Sequence, residues 1–139
     1  MSDYSASLCH AGTWLFLLGL LTGFGIPAFR SPRIGLSAHL AAIESGLGLI
    51  AFGLLLPRLS ISPALAAGVA RVLPASLYVL WIGLVFAAAL GTGRALPIAG
   101  AGHIAQAWQE NVARILISAG SLGSAGTVAA LLIRWRWGA

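Results

Sequence analysis

Long apolar runs alternate with short segments that carry most of the charged residues. The runs lie near residues 8–29, 36–56, 72–93 and 110–133. A helix needs about 20 mostly apolar residues to cross a bilayer, so each run is long enough. Helices also satisfy their own backbone hydrogen bonds in lipid. The pattern predicts an all-α membrane protein, a single domain over residues 1–139 with four transmembrane helices in an antiparallel bundle.

The composition supports a membrane protein and removes several other classes. Of the 139 residues, 59% are hydrophobic and 8% are charged, whereas soluble domains carry about 25% charged residues. The net charge of +5 is scattered between the apolar runs, so it does not form the clustered basic face of a nucleic-acid binder. The single cysteine, Cys9, excludes an internal disulfide and a multi-cysteine metal site.

Two segments between the runs have an irregular pattern. The segment from Pro57 to Pro74 contains Arg58, Pro63 and Arg71, and we expect it to be part loop and part interfacial helix. The segment from Gly91 to His103 is rich in glycine and is a second long irregular stretch. We expect both to lie at the membrane surface.

The second run carries His39 and Glu44, the histidine and the carboxylate that lie deepest in an apolar segment. An ionisable group at membrane depth costs at least a few kcal/mol, so it marks a functional site by default. Helical spacing puts His39, Ala42 and Gly46 on one stripe, where small side chains leave a flat groove. Another helix or a planar cofactor with an axial histidine fits this groove. Glu44 lies about 140° around the helix from His39, so it faces a second helix or a neighbouring subunit.

Polar side chains gather just before the fourth run. His103 ends the irregular stretch, and Trp108 and Glu110 follow it. As a structural feature, Glu110 suits the positive N-terminal end of a helix and forms an i,i+4 pair with Arg114. As a functional feature, these side chains form a lid over a pocket. The sequence leaves both interpretations open.

The last two runs add expectations about packing. In the fourth run, Gly120 and Ser124 form a small-xxx-small pair of the kind that brings helices close together. Such pairs occur on more than one face, so we expect contacts within the subunit and with another copy. In the third run, Tyr78 and Trp81 lie one turn apart, and aromatic residues near a helix end usually form the interfacial belt.

The distribution of arginine leaves the orientation in the membrane balanced. Four arginines fall on each predicted side: Arg30, Arg33, Arg94 and Arg114 on one, and Arg58, Arg71, Arg134 and Arg136 on the other. Cytoplasmic segments carry an excess of Lys and Arg, and here the two counts tie. The terminal Arg134-Trp135-Arg136-Trp137 favours cytoplasmic termini.

Several stretches spread over most of the chain are similar to hydroxylaminobenzene mutase, a family of small four-helix bacterial membrane proteins. The similar stretches include Leu15 to Gly23, Ser31-Pro32-Arg33-Ile34-Gly35-Leu36-Ser37-Ala38-His39-Leu40, and His103 with Trp108-Gln109-Glu110. More distantly, the chain resembles styrene oxide isomerase, another small four-helix membrane enzyme. That relative is a trimer and uses ferric haem b as a Lewis acid, with a histidine early in the second helix as the axial ligand.

The resemblance implies an isomerase that rearranges a small aromatic substrate without net redox change. The expected reaction converts an aryl hydroxylamine to an aminophenol, and the alternative converts an aryl epoxide to an aldehyde. The implied cofactor is haem b, held non-covalently with His39 as the metal ligand. The implied assembly is a homo-oligomer, most simply a trimer with the haem near a subunit interface. The implied location is the bacterial inner membrane, which the chain crosses several times.

The resemblance also assigns site residues. Ser45 stands where relatives carry an asparagine that orients the substrate oxygen, and Leu80 replaces a second asparagine. Glu44 either transfers a proton during the rearrangement or ties two helices together. The expected site has three groups: catalytic Glu44, Ser45 and Tyr78; cofactor-binding His39, Ala42 and Gly46; and His103, Trp108 and Glu110 at the mouth or lid of the pocket.

Three other functions fit parts of the pattern. A small proton-coupled exporter would use Glu44 as its carrier carboxylate, although small multidrug exporters hold that residue in the first helix. A haem-bearing electron-transfer subunit usually needs a second deep axial ligand. A purely structural four-helix protein would hold His39 as a satisfied buried group. A Soret band from the purified protein favours the isomerase or the electron carrier, and its absence favours the other two.

Overall fold

The computed structural model describes residues 3–134, and the regular elements over these residues are helical. They are α1 (Asp3–Gly25), a 3-10 turn (Ile26–Ala28), α2 (Pro32–Leu55), a second 3-10 turn (Leu56–Arg58), α3 (Pro63–Leu90) and α4 (Ala107–Arg134). The four α-helices of this described part are each long and apolar enough to cross a membrane. The protein is therefore a multi-pass membrane protein, and the prediction of an all-α fold with four spanning helices is confirmed. Trp135, Arg136 and Trp137, used above for the orientation, lie outside the described residues.

The third helix starts earlier than the hydrophobic pattern indicates. It begins at Pro63 and continues through the buried Pro74, although the sequence places a partly irregular link there. The hydroxyl of Ser62 accepts a hydrogen bond from the backbone N–H of Leu65 at 3.3 Å, which caps the helix, and proline is favoured in the first turn. Pro74 has no N–H and leaves one helical carbonyl without its donor. Packing of the buried Val69 and Leu73 beside it keeps the helix continuous.

Glycines allow α1 and α2 to pack in close contact. A Cβ added to Gly12 would lie 2.6 Å from the carbonyl oxygen of Gly46, and one added to Gly46 would lie 2.7 Å from the backbone nitrogen of Phe16. Near the start of α1, the hydroxyl of Ser5 donates to the carbonyl oxygen of Gly53, near the end of α2, at 2.6 Å. The pair buries leucines along its contact, among them Leu8, Leu15 and Leu49.

The other closely packed pair is α3 with α4. A Cβ on Gly120 would lie 2.5 Å from the backbone nitrogen of Leu80, and one on Gly83 would lie 3.0 Å from the backbone nitrogen of Ile117. The small residues of α4 that the sequence singles out therefore include one that sits directly on α3. Within the described chain α4 packs extensively only against α3, and most of its remaining surface is exposed.

Two aromatic side chains join the helix pairs. The hydroxyl of Tyr78 donates to the carbonyl oxygen of Ala11 at 2.9 Å. The indole N–H of Trp81 donates to the hydroxyl of Thr22 at 3.2 Å, and that hydroxyl donates to the carbonyl oxygen of Leu18 at 2.7 Å. Both aromatic residues therefore pack against α1 inside the bundle. They do not form the interfacial aromatic belt that their positions in the sequence indicate.

Candidate functional site

His39 lies between α2 and α1, and a backbone carbonyl of α1 fixes the orientation of its ring. Its Nδ1 atom is 2.8 Å from the carbonyl oxygen of Gly19. A carbonyl oxygen only accepts, so Nδ1 carries the hydrogen and Nε2 carries the lone pair. Nε2 has no hydrogen-bond partner within residues 3–134. A carbonyl that holds the N–H of one ring nitrogen, with the other nitrogen free, is the usual arrangement of a metal-binding histidine.

Gly23 makes room for the imidazole. A Cβ at this position would lie 2.8 Å from both Cε1 and Nδ1 of His39, so any other residue would displace the ring. The imidazole opens into a groove of about 420 Å³, lined also by Leu20, Phe24 and Leu36. Phe24 is 85% exposed, so the groove is open to the outside of the helix pair. This groove can hold a flat apolar group next to a single imidazole nitrogen.

Ala42 and Gly46 lie under α1 and do not line this groove. Both are buried, and a Cβ on Gly19 would lie 3.0 Å from the Cβ of Ala42. Their small size lets α1 approach α2 closely enough for the Gly19 carbonyl to reach His39. The sequence predicts a flat groove along His39, Ala42 and Gly46 of α2. In the structure α1 fills this groove at Ala42 and Gly46, and the groove stays open beside His39.

The three residues expected to be catalytic lie in separate places within one chain. Ser45 lines a groove of about 350 Å³ together with residues of α3 and α4, Leu77 and Ser124 among them. Tyr78 points the other way, to α1. Glu44 is exposed on the outer face of α2 and makes no hydrogen bond or ion pair within residues 3–134. Their catalytic roles stay predictions, because a single chain does not bring them to the imidazole.

Glu110 holds the link between α3 and α4. Its carboxylate is 3% exposed and accepts backbone N–H groups from Gly93 and Arg94, both at 3.0 Å, and from Ala105 at 3.4 Å. The expected pair with Arg114 is wrong, because the carboxylate turns back toward the link. Arg114 bonds instead to the side-chain oxygen of Asn111 at 3.2 Å. Glu110 therefore acts as the anchor of the segment between the two helices.

His103 and Trp108 complete this end of the molecule. The Nε2 atom of His103 lies 2.8 Å from the carbonyl oxygen of Arg30, so its N–H ties the α3–α4 link to the α1–α2 link. The indole N–H of Trp108 donates to the side-chain oxygen of Gln106 at 2.7 Å, and its ring contacts that of Phe86 edge-on. The polar groups form a cap on the bundle end, and their role as a lid over substrate stays a prediction.

The sequence did not single out the residues that position His39. Gly19 and Gly23 lie where α1 packs closely on α2, and they supply the carbonyl and the space for the imidazole. A glycine pair facing a histidine across two predicted helices was the available signal. Within residues 3–134, no three His, Cys, Asp or Glu side chains lie close enough to hold a metal ion. Among these described residues, His39 therefore stands apart from any such cluster.

Comparisons with known proteins identify the family. A sequence profile of the styrene oxide isomerase family matches residues 4–136. The curated protein hydroxylaminobenzene mutase HabB of Ectopseudomonas oleovorans is 41% identical over 80% of this chain and 69% of its own length. Hydroxylaminobenzene mutase HabA of the same organism is 37% identical over 79% of this chain and 82% of its own length. No solved structure matches the chain significantly. The resemblance expected from the sequence is confirmed.

Proposed function

Because the chain belongs to the styrene oxide isomerase family and is an enzyme of the isomerase or mutase type, we propose that it rearranges an aryl hydroxylamine to an aminophenol. The names of the two mutase relatives support this substrate class. In the rearrangement the N–O bond breaks, a C–O bond forms on the ring, and the hydrogens redistribute. Substrate and product have the same composition, so no oxidant or reductant is consumed.

The observation that carries the proposal is the His39 imidazole, which Gly19 orients so that Nε2 faces an apolar groove. A bare metal ion would need further protein ligands, and no such cluster exists among the described residues. A haem brings four nitrogen ligands of its own, so the single imidazole of His39 would be enough to hold it. The residues present therefore fit a haem b held by His39, and such a group, when bound, supplies a Lewis-acidic iron that weakens a bond to oxygen.

The chain itself contributes orientation and the exclusion of water. The Gly19 carbonyl holds the imidazole tautomer, and the absence of a side chain at Gly23 leaves room for the ring. Apart from His39, the groove is lined by apolar residues such as Leu20 and Leu36. Such a lining keeps bulk water away from a cation-like intermediate that water would otherwise trap. It also admits an apolar aromatic substrate directly from lipid.

The assembly that we propose is an antiparallel four-helix subunit within a homo-oligomer, most simply a trimer, in the bacterial inner membrane with cytoplasmic termini. The contact of Ser5 with Gly53, at opposite ends of α1 and α2, supports the antiparallel order. The His39 groove opens to the outside of the subunit, where a neighbouring copy would close it. Ser45, Glu44 and Tyr78 then remain candidates for the substrate pocket, with His103, Trp108 and Glu110 at its rim.

The second candidate reaction is the conversion of an aryl epoxide to an aldehyde. The name of the matching family supports it, and the same site would serve because this reaction also weakens a bond to oxygen. Ser45 in place of an asparagine offers a hydroxyl with shorter reach and one donor instead of two. The names of the two mutase relatives place the hydroxylamine first.

The proposal is tested with protein purified in mild detergent. We expect a Soret band, and we expect phenylhydroxylamine to be converted to an aminophenol faster than styrene oxide is converted to phenylacetaldehyde. His39→Ala should lose the Soret band and the activity together, and added imidazole should restore part of both. Chromatography of the products and absorption spectra are the measurements.

The matched control is His10→Ala, since His10 is exposed on α1 and bonds to Trp14. This variant should keep the haem and the wild-type turnover. Full haem content in His39→Ala would remove His39 as the ligand. Absence of turnover with both substrates in haem-loaded wild-type protein would contradict the proposed reaction class.

A further inference from the structure

Glu44 has a membrane position that a single chain cannot explain. It lies in the middle of α2 (Pro32–Leu55), on an exposed face between Leu40 and Leu47, which are 46% and 53% exposed. It has no hydrogen bond or ion pair within residues 3–134. A carboxyl group left against lipid at this depth is costly whether charged or neutral. A hydrogen-bond donor from outside the subunit must therefore meet it.

The outer face of α4 offers donors that lack acceptors. Ser118, Ser121, Ala125 and Ala129 are all exposed and recur every three or four residues, so they share one face of the helix. Ala125 also lines the groove of Ser45, so this face begins beside α2 of its own chain and continues outward. The hydroxyls of Ser118 and Ser121 have no hydrogen-bond partner within the described residues. Small residues at every fourth position with a hydroxyl among them form the kind of surface that packs against another helix in lipid.

The two faces lie at the same depth. Ser45 and Ser124 line one groove, so Glu44 is level with Ser124 to within about one helical turn. Ser121 precedes Ser124 by three residues, which is less than one turn. Copies related by an axis along the membrane normal keep their depths, so Ser121 of one copy reaches the level of Glu44 in the next.

Arginine is a poor alternative partner. Arg114 and Arg134 of α4 each lie ten residues from Ser124, about 15 Å along the helix. The guanidinium of Arg114 also bonds to Asn111. Arg30, Arg58 and Arg94 lie outside the four long helices, Arg33 lies in the first turn of α2, and Arg71 of α3 precedes Leu77 of the Ser45 groove by six residues, about 9 Å. Serine hydroxyls are therefore the donors that match Glu44.

From these observations we infer that α4 of one copy packs through Ser121 and Ala125 against the α2 face of a second copy, where Ser121 donates a hydrogen bond to Glu44. The two faces are different surfaces of the same chain, so the contact is heterologous, and repetition around an axis closes a ring. The α2 face borders the His39 groove through Leu36, so the neighbouring α4 also walls that groove. The inference rests on the oligomer proposed above and on no step of the chemistry.

The first test adds bulk to the face of α4. Ser121→Leu should block the close approach and convert the wild-type oligomer largely to monomer, at least a tenfold rise in the monomer fraction by light scattering in mild detergent. Ala119→Leu introduces the same side chain on the same helix, about 160° away, at another exposed residue, and should leave the oligomer intact. Monomeric wild-type protein, or equal dissociation by both variants, would overturn the inference.

The second test follows Glu44 itself. A hydrophobic carbodiimide reacts with carboxyl groups that are exposed to the membrane. Wild-type and Ala119→Leu protein should protect Glu44, whereas Ser121→Leu should expose it, with modification located by peptide mass analysis. Equal modification of Glu44 in all three proteins means that no neighbour covers it and contradicts the inference.

The third test does not depend on a bulky variant. In a Cys9→Ser background, Leu40→Cys and Ser121→Cys are prepared as separate proteins and co-assembled. Oxidation should give a disulfide-linked dimer in the mixture and none with either protein alone, because the contact joins two different faces. Dimers from a single variant, or none in the mixture, would refute it. This test needs no substrate and no haem. Cross-linking without enzymatic activity would therefore contradict the proposed function alone. Enzymatic activity without cross-linking would contradict this inference alone.

Discussion

At the scale of single residues, one buried carboxylate determines the shape of the α3–α4 link. Glu110 accepts three backbone N–H groups from both ends of that segment. These donors have no other acceptor once the carboxylate is removed, and each unsatisfied buried group costs about 1–3 kcal/mol. Two carboxylate oxygens accept all three bonds, whereas an amide presents one acceptor oxygen and an NH2 group that only donates.

We therefore expect Glu110→Gln to lower the free energy of unfolding by about 2 kcal/mol, and Glu110→Ala to lower it by more. Thermal unfolding followed by circular dichroism in detergent measures this loss. Asn111→Ala, at an exposed neighbour that bonds only to Arg114, is the control and should change stability by less than about 0.5 kcal/mol. A Glu110→Gln variant as stable as the wild type would show that the carboxylate does not hold the link.

The same residue shows how far sequence predicts a site. Glu110 was recognisable as a polar group in the first turn of a predicted helix, and His39 as a histidine beside small residues. Their partners were not, because the Gly93 and Gly19 contacts use backbone atoms. Backbone donors and acceptors occur at almost every residue, so only the folded arrangement tells which of them meet a given side chain.

At the scale of elements, the contact between α1 and α2 depends on glycines that no other residue can replace. A Cβ on Gly46 would lie 2.7 Å from the backbone of Phe16, whereas a Cβ on Gly48 would meet nothing within 4 Å. The two glycines lie two residues apart on the same helix, so they differ mainly in what they face.

We expect Gly46→Ala to destabilise the protein by about 1–3 kcal/mol, because backbone atoms cannot move aside as a flexible side chain can. It should also weaken the Gly19–His39 contact and reduce the content of the haem proposed above. Gly48→Ala should be neutral or stabilising by up to about 1 kcal/mol, since alanine is the better helix former. Unfolding temperature and the Soret absorbance per protein are the measurements, and equal effects from both variants would contradict this view of the interface.

The elements were largely predictable, with one difference in extent. Apolar run lengths identify four helices because each helix must span the same hydrocarbon thickness. The start of α3 was missed because hydropathy falls near Ser62, where a cap and Pro63 begin the helix. In the sequence, Pro74 indicates the end of a link and the start of a helix. In the structure it lies inside α3, and the packing around it compensates for its missing hydrogen bond.

At the scale of the whole molecule, the structure groups the arginines at opposite ends of the bundle. Arg30 and Arg94 lie at one end, since His103 bonds to the carbonyl oxygen of Arg30 and Glu110 holds the backbone of Arg94. Arg58 follows the other end of α2. Four arginines on each side leave only a weak bias for insertion, so the orientation should respond to small changes in charge.

We expect a green fluorescent protein fused to the C-terminus to fluoresce and an alkaline phosphatase fused there to be inactive, because the proposed termini are cytoplasmic. Arg58→Ala with Arg71→Ala halves the arginines on that side and should raise phosphatase activity several-fold as part of the population inverts. Arg30→Ala with Arg33→Ala removes the same charge from the other side and should leave the phosphatase inactive. An active phosphatase on the wild-type chain would reverse the proposed orientation, and identical activity in both double variants would show that arginine counts do not set it.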